Sequence, residues 1–149
     1  MKAVCLRYTG NEEDAEDVLQ EGFTLVFTKM KNFKSSGSFE GWIHRIMINT
    51  SLHFLKKRKK LFHENIDEQM KIRDNSPTIE SQLSTKELMD LLLQLPDGYR
   101  AVFNMYVIEG YSHKEISAFL GIQESTSRSQ LAKAKIMLRS LIAQMNNDG

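Results

Sequence analysis

Between His113 and Lys133 the chain sets out side chains suited to reading nucleic acid. Thr126, Ser127, Arg128, Ser129, Gln130 and Lys133 are short or hydrogen-bonding groups of the kind that reach base edges and phosphates. They follow a short segment that begins at His113 and Lys114 and stops at Gly121. A second set lies between residues 33 and 60. Arg45, Asn49, His53, Lys56 and Lys57 fall largely off the apolar side of one helical segment, which runs into the basic pentamer 56–60. Such a run neutralises phosphates without reading sequence. Beside it, Lys34, Ser35, Ser36, Gly37 and Ser38 form a loop flanked by Phe33, Phe39 and Trp42. Loop amides with neighbouring aromatic rings can hold an unstacked base. Taken alone, most of those rings read as core rather than as a binding surface.

Bond-making chemistry is poorly served. His44, His53, His63 and His113 have no metal-ligand partner at useful spacing, and Cys5 stands alone. No Gly-rich phosphate loop or nucleophile elbow occurs. The expectation is a binding protein, not an enzyme, with no metal and no cofactor.

The elements that must position these groups all read as helices. Asn11 can cap a helix whose first turn, Glu12-Glu13-Asp14, suits the positive end of the dipole. Ala15, Val18, Leu19, Phe23, Val26, Phe27 and Met30 keep the spacing of one buried stripe. A second helix from about Phe39 is expected to bury Trp42, Ile43, Ile46, Met47 and Phe54. Residues 64–82 are polar and contain Asp74-Asn75-Ser76-Pro77, the character of a linker. Order returns at a capping box, Ser84 to Glu87, ahead of Leu88, Leu91, Leu92 and Leu95. A helix from about Asp97 to Ile108 follows, with Gly110 as its stop. A second capping box, Ser112 to Glu115, opens a short helix ended by Gly121. The last helix begins near Glu124 and buries Leu131, Ala134, Leu138, Leu141 and Ile142. Residues 112–139 thus have the layout of a helix-turn-helix, whose second helix enters a major groove. An ordinary helical hairpin with a solvated polar face fits the same pattern. The fold class expected is all-α, two small helical domains joined by a flexible linker.

Charge sharpens the division. The 149 residues carry 20 Lys+Arg against 19 Asp+Glu, a net charge of +1. That total excludes a uniformly basic nucleic-acid coat and an acidic disordered segment. Residues 1–63 hold 11 basic and 7 acidic side chains, net +4; residues 64–98 hold 3 and 8, net −5; residues 99–149 hold 6 and 4, net +2. Six acids crowd residues 11–21 with no base among them, so this face calls for a basic protein partner. No apolar run is long enough to span a membrane, and a single cysteine fits a reducing compartment.

Two strings carry a family resemblance. Asp14-Ala15-Glu16-Asp17-Val18-Leu19-Gln20-Glu21-Gly22-Phe23, followed by Phe39-Glu40-Gly41-Trp42-Ile43-His44-Arg45-Ile46-Met47-Ile48-Asn49, resembles region 2 of bacterial RNA polymerase sigma factors of the extracytoplasmic-function group. Leu95-Pro96, Tyr99-Arg100, Gly110-Tyr111-Ser112, Glu115-Ile116 and the run 126–131 are similar to that group's region 4. The resemblance implies region 2 over 1–63, a linker over 64–82 and region 4 over 83–149. Only Lys2 to Tyr8 stand where the group's usual further helical stretch would end. Asp14, Glu16, Asp17, Gln20 and Glu21 match the helix that docks on the β′ clamp of core polymerase, and region 4 is expected to meet the β flap. Phe33, the 34–38 loop and Asn49 match the part that captures a flipped −10 base, with Arg45, Lys56 and Lys57 on the surrounding backbone. Thr126, Arg128, Ser129, Gln130 and Lys133 match the −35 reading helix, with His113 and Lys114 near phosphates. Gln130 and Ser127 stand where many relatives carry Arg and Val, so the −35 preference shifts toward adenine. The implied partners are core RNA polymerase, promoter DNA and an anti-sigma protein, in the bacterial cytoplasm. A stand-alone helix-turn-helix regulator is the alternative, and it needs neither the acidic helix nor the aromatic loop.

Overall fold

The computed structural model describes residues 1–34, 37–58 and 83–148. The chain divides into two compact units, Met1–Lys59 and Lys60–Gly149. Among the described residues every regular element is a helix, and none is long and apolar enough to cross a membrane. The expected linker over 64–82, Ser35 and Ser36, and Lys59 and Lys60 of the basic pentamer lie outside the described residues.

The first unit is a three-helix packing of α1 (Lys2–Thr9), α2 (Glu12–Lys29) and α3 (Phe39–Lys57), with a single 3-10 turn over Met30–Asn32. Gly10 ends α1 with φ 88°, and its N–H donates to the Leu6 carbonyl at 3.0 Å. Asn11 then caps α2: its side-chain oxygen accepts the Asp14 N–H at 2.9 Å, while its amide donates to the Asp14 carboxylate at 2.7 Å. Ser38 caps α3 by accepting the Gly41 N–H at 3.2 Å.

The core of this unit is set by Val4, Cys5 and Tyr8 of α1, Ala15, Val18 and Val26 of α2, and Met47, Ile48, Leu52 and Leu55 of α3. Two expectations are corrected here. Phe23, Phe27 and Met30 are exposed, Phe27 at 72%. Gly22 takes the buried place because α3 lies close against it, and a β-carbon there would overlap the Met47 thioether. On α3 the buried stripe begins at Met47 rather than Trp42; Trp42, Ile43, Ile46 and Phe54 are only half-buried. The buried side chains of α3 all fall from Met47 onward, so its first turns stay nearer the surface.

Arg58, at the C-cap of α3, closes the unit. Its guanidinium pairs with Asp14, donates to the Thr9 carbonyl at 3.3 Å and lies 4.8 Å from the Phe54 ring centroid. One side chain therefore joins the ends of α1 and α3 to the start of α2.

The second unit holds α4 (Thr85–Leu92), α5 (Asp97–Phe103) extended by a π-helical stretch over Asn104–Ile108, α6 (His113–Leu120) and α7 (Glu124–Asp148). Both capping boxes form. Ser84 accepts the Glu87 N–H at 3.2 Å while Glu87 accepts the Ser84 N–H at 2.8 Å, a bond that holds the Glu87 carboxyl below its ordinary range. Ser112 and Glu115 do the same at 3.1 and 3.3 Å. The helix expected from Asp97 to Ile108 changes character at Asn104, where the Glu109 N–H donates five residues back to the Asn104 carbonyl at 2.9 Å. Buried Arg100 crosses the α4–α5 turn, donating to the Leu95 carbonyl at 2.6 Å and pairing with Asp97. Gly121, at φ 67°, turns the chain sharply between α6 and α7, a conformation side-chain-bearing residues rarely adopt.

Candidate functional site

In the first unit the polar side of α3 forms one row. Arg45, Asn49, His53 and Lys56 recur at steps of four, four and three, so they share a helix face, and all four are exposed. At 1.5 Å per residue the row is about 16 Å long, room for several nucleotides of a single strand. Lys57 is also exposed, rotated away from this line. Trp42 extends the row at its N-terminal end, where three rings meet. Phe33 lies 5.2 Å from Phe39 and 5.3 Å from Trp42 between centroids, and Phe39 stacks on Trp42 at 5.8 Å. Phe39 is exposed and the other two are half-buried, so these rings form a surface platform and not a core. Lys34, Gly37 and Ser38 lie exposed beside it. Ser35 and Ser36, expected in the same loop, fall outside the described residues.

The acidic helix divides its expected residues among three settings. Glu16, Asp17 and Gln20 are exposed, and Lys2 donates to Glu16 at 3.3 Å. Asp14 faces inward to Arg58 and Asn11, half-buried, which spends its charge within the unit. Glu21 turns toward α3, where with Leu25 and Lys29 it faces Ile46, Asn49, Thr50 and His53 across a groove of about 250 Å³. Residues the sequence assigned to two different partners, Glu21 and Asn49, thus line one groove. Exposed Phe23 and Phe27 continue the line of Glu16 and Gln20 at helical spacing. Sequence reasoning missed them as surface residues, because an apolar residue at a three-or-four step reads as core. The signal that could have found them is Gly22, whose missing side chain marks where another helix comes close.

In the second unit the helix-turn-helix forms with its steep turn at Gly121, but the reading face differs from expectation. Ser127 is fully buried and Gln130 is 2% exposed, so neither presents its side chain to a DNA groove. The reason is periodicity: the buried stripe Leu131, Ala134, Leu138 continues backward through Ser127 and Gln130 to cover α5 and α6. Arg128 and Lys114 are exposed; Thr126, Ser129 and Lys133 are half-exposed. Arg128 pairs with Glu124 at 3.7 Å, and the Ser129 hydroxyl donates to the Thr126 carbonyl at 3.1 Å. His113, expected near phosphates, is half-buried instead. Its Nδ1 sits 2.8 Å from the Ser127 hydroxyl and its ring stacks on Tyr106 at 4.3 Å. Burial first, then the Arg128 charge, push its pKa below the ordinary value of 6.5, so it is neutral at neutral pH and offers phosphate no cation.

An all-α chain with a capped helix-turn-helix in one unit, and an acidic helix against a basic-aromatic one in the other, is built as a helix-turn-helix protein with a second, three-helix unit. Residues 1–61 match the family pattern described as Sigma-70 region 2, and residues 85–138 match Sigma-70, region 4. The chain belongs to the sigma-70 family, in its extracytoplasmic-function group. It is 34% identical over 148 residues to the ECF RNA polymerase sigma factor SigE of Mycolicibacterium smegmatis, covering 95% of this chain and 57% of that relative. It therefore spans little more than half of that relative's length. It is 25% identical over 154 residues to the ECF RNA polymerase sigma factor SigW of Bacillus subtilis, covering 95% of this chain and 82% of SigW. Among solved structures, the sigma factor RpoE of Bartonella quintana, crystallised with the anti-sigma factor NepR, shares the fold with a TM-score of 0.58 at 19% identity. That match covers 95% of this chain and 89% of RpoE.

Proposed function

We propose that this chain is a sigma factor that binds core RNA polymerase, directs it to specific promoters and assists promoter melting. The observation that carries this reading is the pairing, within one three-helix unit, of an acidic and aromatic face on α2 with a basic row and aromatic platform on α3. A repressor needs only the second unit. In the proposed division, residues 1–63 serve as region 2, 64–82 as linker and 83–149 as region 4.

The mechanism is binding, with no bond made or broken. Glu16, Asp17, Gln20, Phe23 and Phe27 offer charge around an apolar centre, the composition of a helix-docking hot spot, to the β′ clamp. Asp14 supports that helix from behind. Phe33, Phe39 and Trp42 give an unstacked −10 base a surface to lie on, and Asn49 can pair with a base edge. Arg45, Lys56 and Lys57 hold the backbone of the same strand, so capture of the base favours the melted state. In the second unit Arg128, Ser129, Thr126 and Lys133, with Lys114, read and clamp the −35 duplex, while region 4 meets the β flap. The relative crystallised with an anti-sigma factor supports an anti-sigma partner here too, and this role belongs in the bacterial cytoplasm.

Co-purification with core polymerase, followed by promoter-specific run-off transcription, tests the reading. The expected result is a stoichiometric complex that initiates at a defined site. A chain that binds DNA but never core polymerase would establish the stand-alone regulator instead.

A further inference from the structure

Three elements of the second unit meet at one imidazole. His113 opens α6, Tyr106 belongs to the π-helical extension of α5, and Ser127 lies in the first turns of α7. The His113 and Tyr106 rings are nearly parallel, 17° apart at 4.3 Å, and His113 Nδ1 stands 2.8 Å from Ser127 Oγ. Ser127 is fully buried, in the stripe by which α7 packs on its neighbours. A hydroxyl at such a place contributes no apolar packing and needs a partner, which His113 supplies. Arg128 and Ser129 come directly after Ser127, so any rotation of this turn displaces the side chains proposed to reach the duplex.

We infer that His113 is a positioning residue for α7: held between Tyr106 and Ser127, its imidazole fixes the rotational setting of the turn that carries Arg128 and Ser129. This rests on the reading of the second unit as the duplex-reading one. The charged groups acting on the ring are Arg128, Lys135 and Glu124 of α7, and the titratable Tyr106 of the π-helical stretch stacks on it. Protonation adds a third positive charge beside Arg128 and Lys135, against Glu124. Burial and Arg128 already lower the pKa from 6.5, with Lys135 adding and Glu124 opposing. A depressed folded-state pKa means the neutral ring's contribution is fully present above pH 6.5 and is lost as pH falls through the folded value.

The test uses the full chain and a duplex enriched from a randomised pool by the wild-type protein, measured against a scrambled duplex of equal length. The expected specificity ratio is flat above pH 6.5 and falls below it. His113→Phe keeps the ring stack and removes the nitrogen; it should lower the ratio at pH 7.5 about 3- to 10-fold, the worth of one hydrogen bond. It should also abolish the further acid-side fall, and adding Ser127→Ala should cost nothing more. A His113→Phe ratio equal to wild type, an additive loss in the double variant, or an unchanged acid-side fall would each overturn the inference. If the wild-type protein enriches no sequence, the −35 reading fails by itself, and amide exchange decides the positioning role. Faster exchange over 124–130 in His113→Phe supports it, and unchanged exchange there refutes it.

Discussion

Arg58 offers the sharpest separation between a residue that binds nucleic acid and one that holds the fold. It stands in the middle of a five-residue basic run, and by sequence it belongs with its neighbours on phosphate. In the structure its guanidinium is engaged with Asp14, the Thr9 carbonyl and the Phe54 ring. Arg58→Ala removes these contacts. The ion pair is partly exposed, at 31% and 28% of the two side chains, so screening limits it to about 1 kcal/mol. The charged hydrogen bond to Thr9 contributes roughly 1 kcal/mol and the cation–π contact about 0.5. The three share one side chain and are not additive, so the expected loss is about 2 kcal/mol. With a urea slope of about 1–3 kcal/mol/M, the midpoint of the first unit should fall by roughly 1 M. Urea titration of the full chain, followed by far-UV circular dichroism and by Trp42 fluorescence, reads this directly. Arg58→Lys retains the charge and should recover about half. The neighbours should behave oppositely. Lys56→Gln with Lys57→Gln should leave the midpoint within about 0.5 kcal/mol of wild type and reduce the salt slope of DNA binding by about 0.7 per lost single-strand contact. If Arg58→Ala left stability unchanged and flattened the salt slope, the assignment of Arg58 to the fold would be wrong.

Three further outcomes are expected. Asn49→Ala should reduce open-complex formation, read by permanganate reactivity, by about 10- to 100-fold, while binding to a −35 duplex stays nearly unchanged; equal losses in both would break the division of labour between the units. Phe27→Ala should change thermal stability by no more than about 0.5 kcal/mol, since the ring is exposed, yet weaken core-polymerase binding at least about tenfold in a competition assay. Gly22→Ala gains helix propensity and still should destabilise the first unit by about 1 kcal/mol, because the added methyl meets the buried Met47 thioether; a rise in the unfolding midpoint would show that the flexible Met47 side chain swings aside without cost.

The helix boundaries were largely legible because their signals are local. Asn11, Ser84 and Ser112 each cap with a residue three positions away, and Gly110 and Gly121 stop a helix by backbone conformation alone. The α5 extension was less legible. Its register slips to the π form at Asn104, which no local residue announces. The basic row on α3 was readable for the same reason as the caps: Arg45, Asn49, His53 and Lys56 share a face in any helix, whatever surrounds it.

What a residue three or four positions away could decide, the amino-acid sequence decided: the caps, the stops, the two-unit plan and the charged face of α3. What it could not decide was which side of an apolar-rich helix is covered. α2 has more apolar positions than two partner helices can bury, so Phe23, Phe27 and Met30 were left at the surface once α3 settled against Gly22. α7 carries polar residues where its neighbours need contact, so Gln130 and Ser127 went inward and His113 followed Ser127. Periodicity gives the angle between side chains on one helix, but the direction of the core is a property of the other helices, and only their packing supplies it.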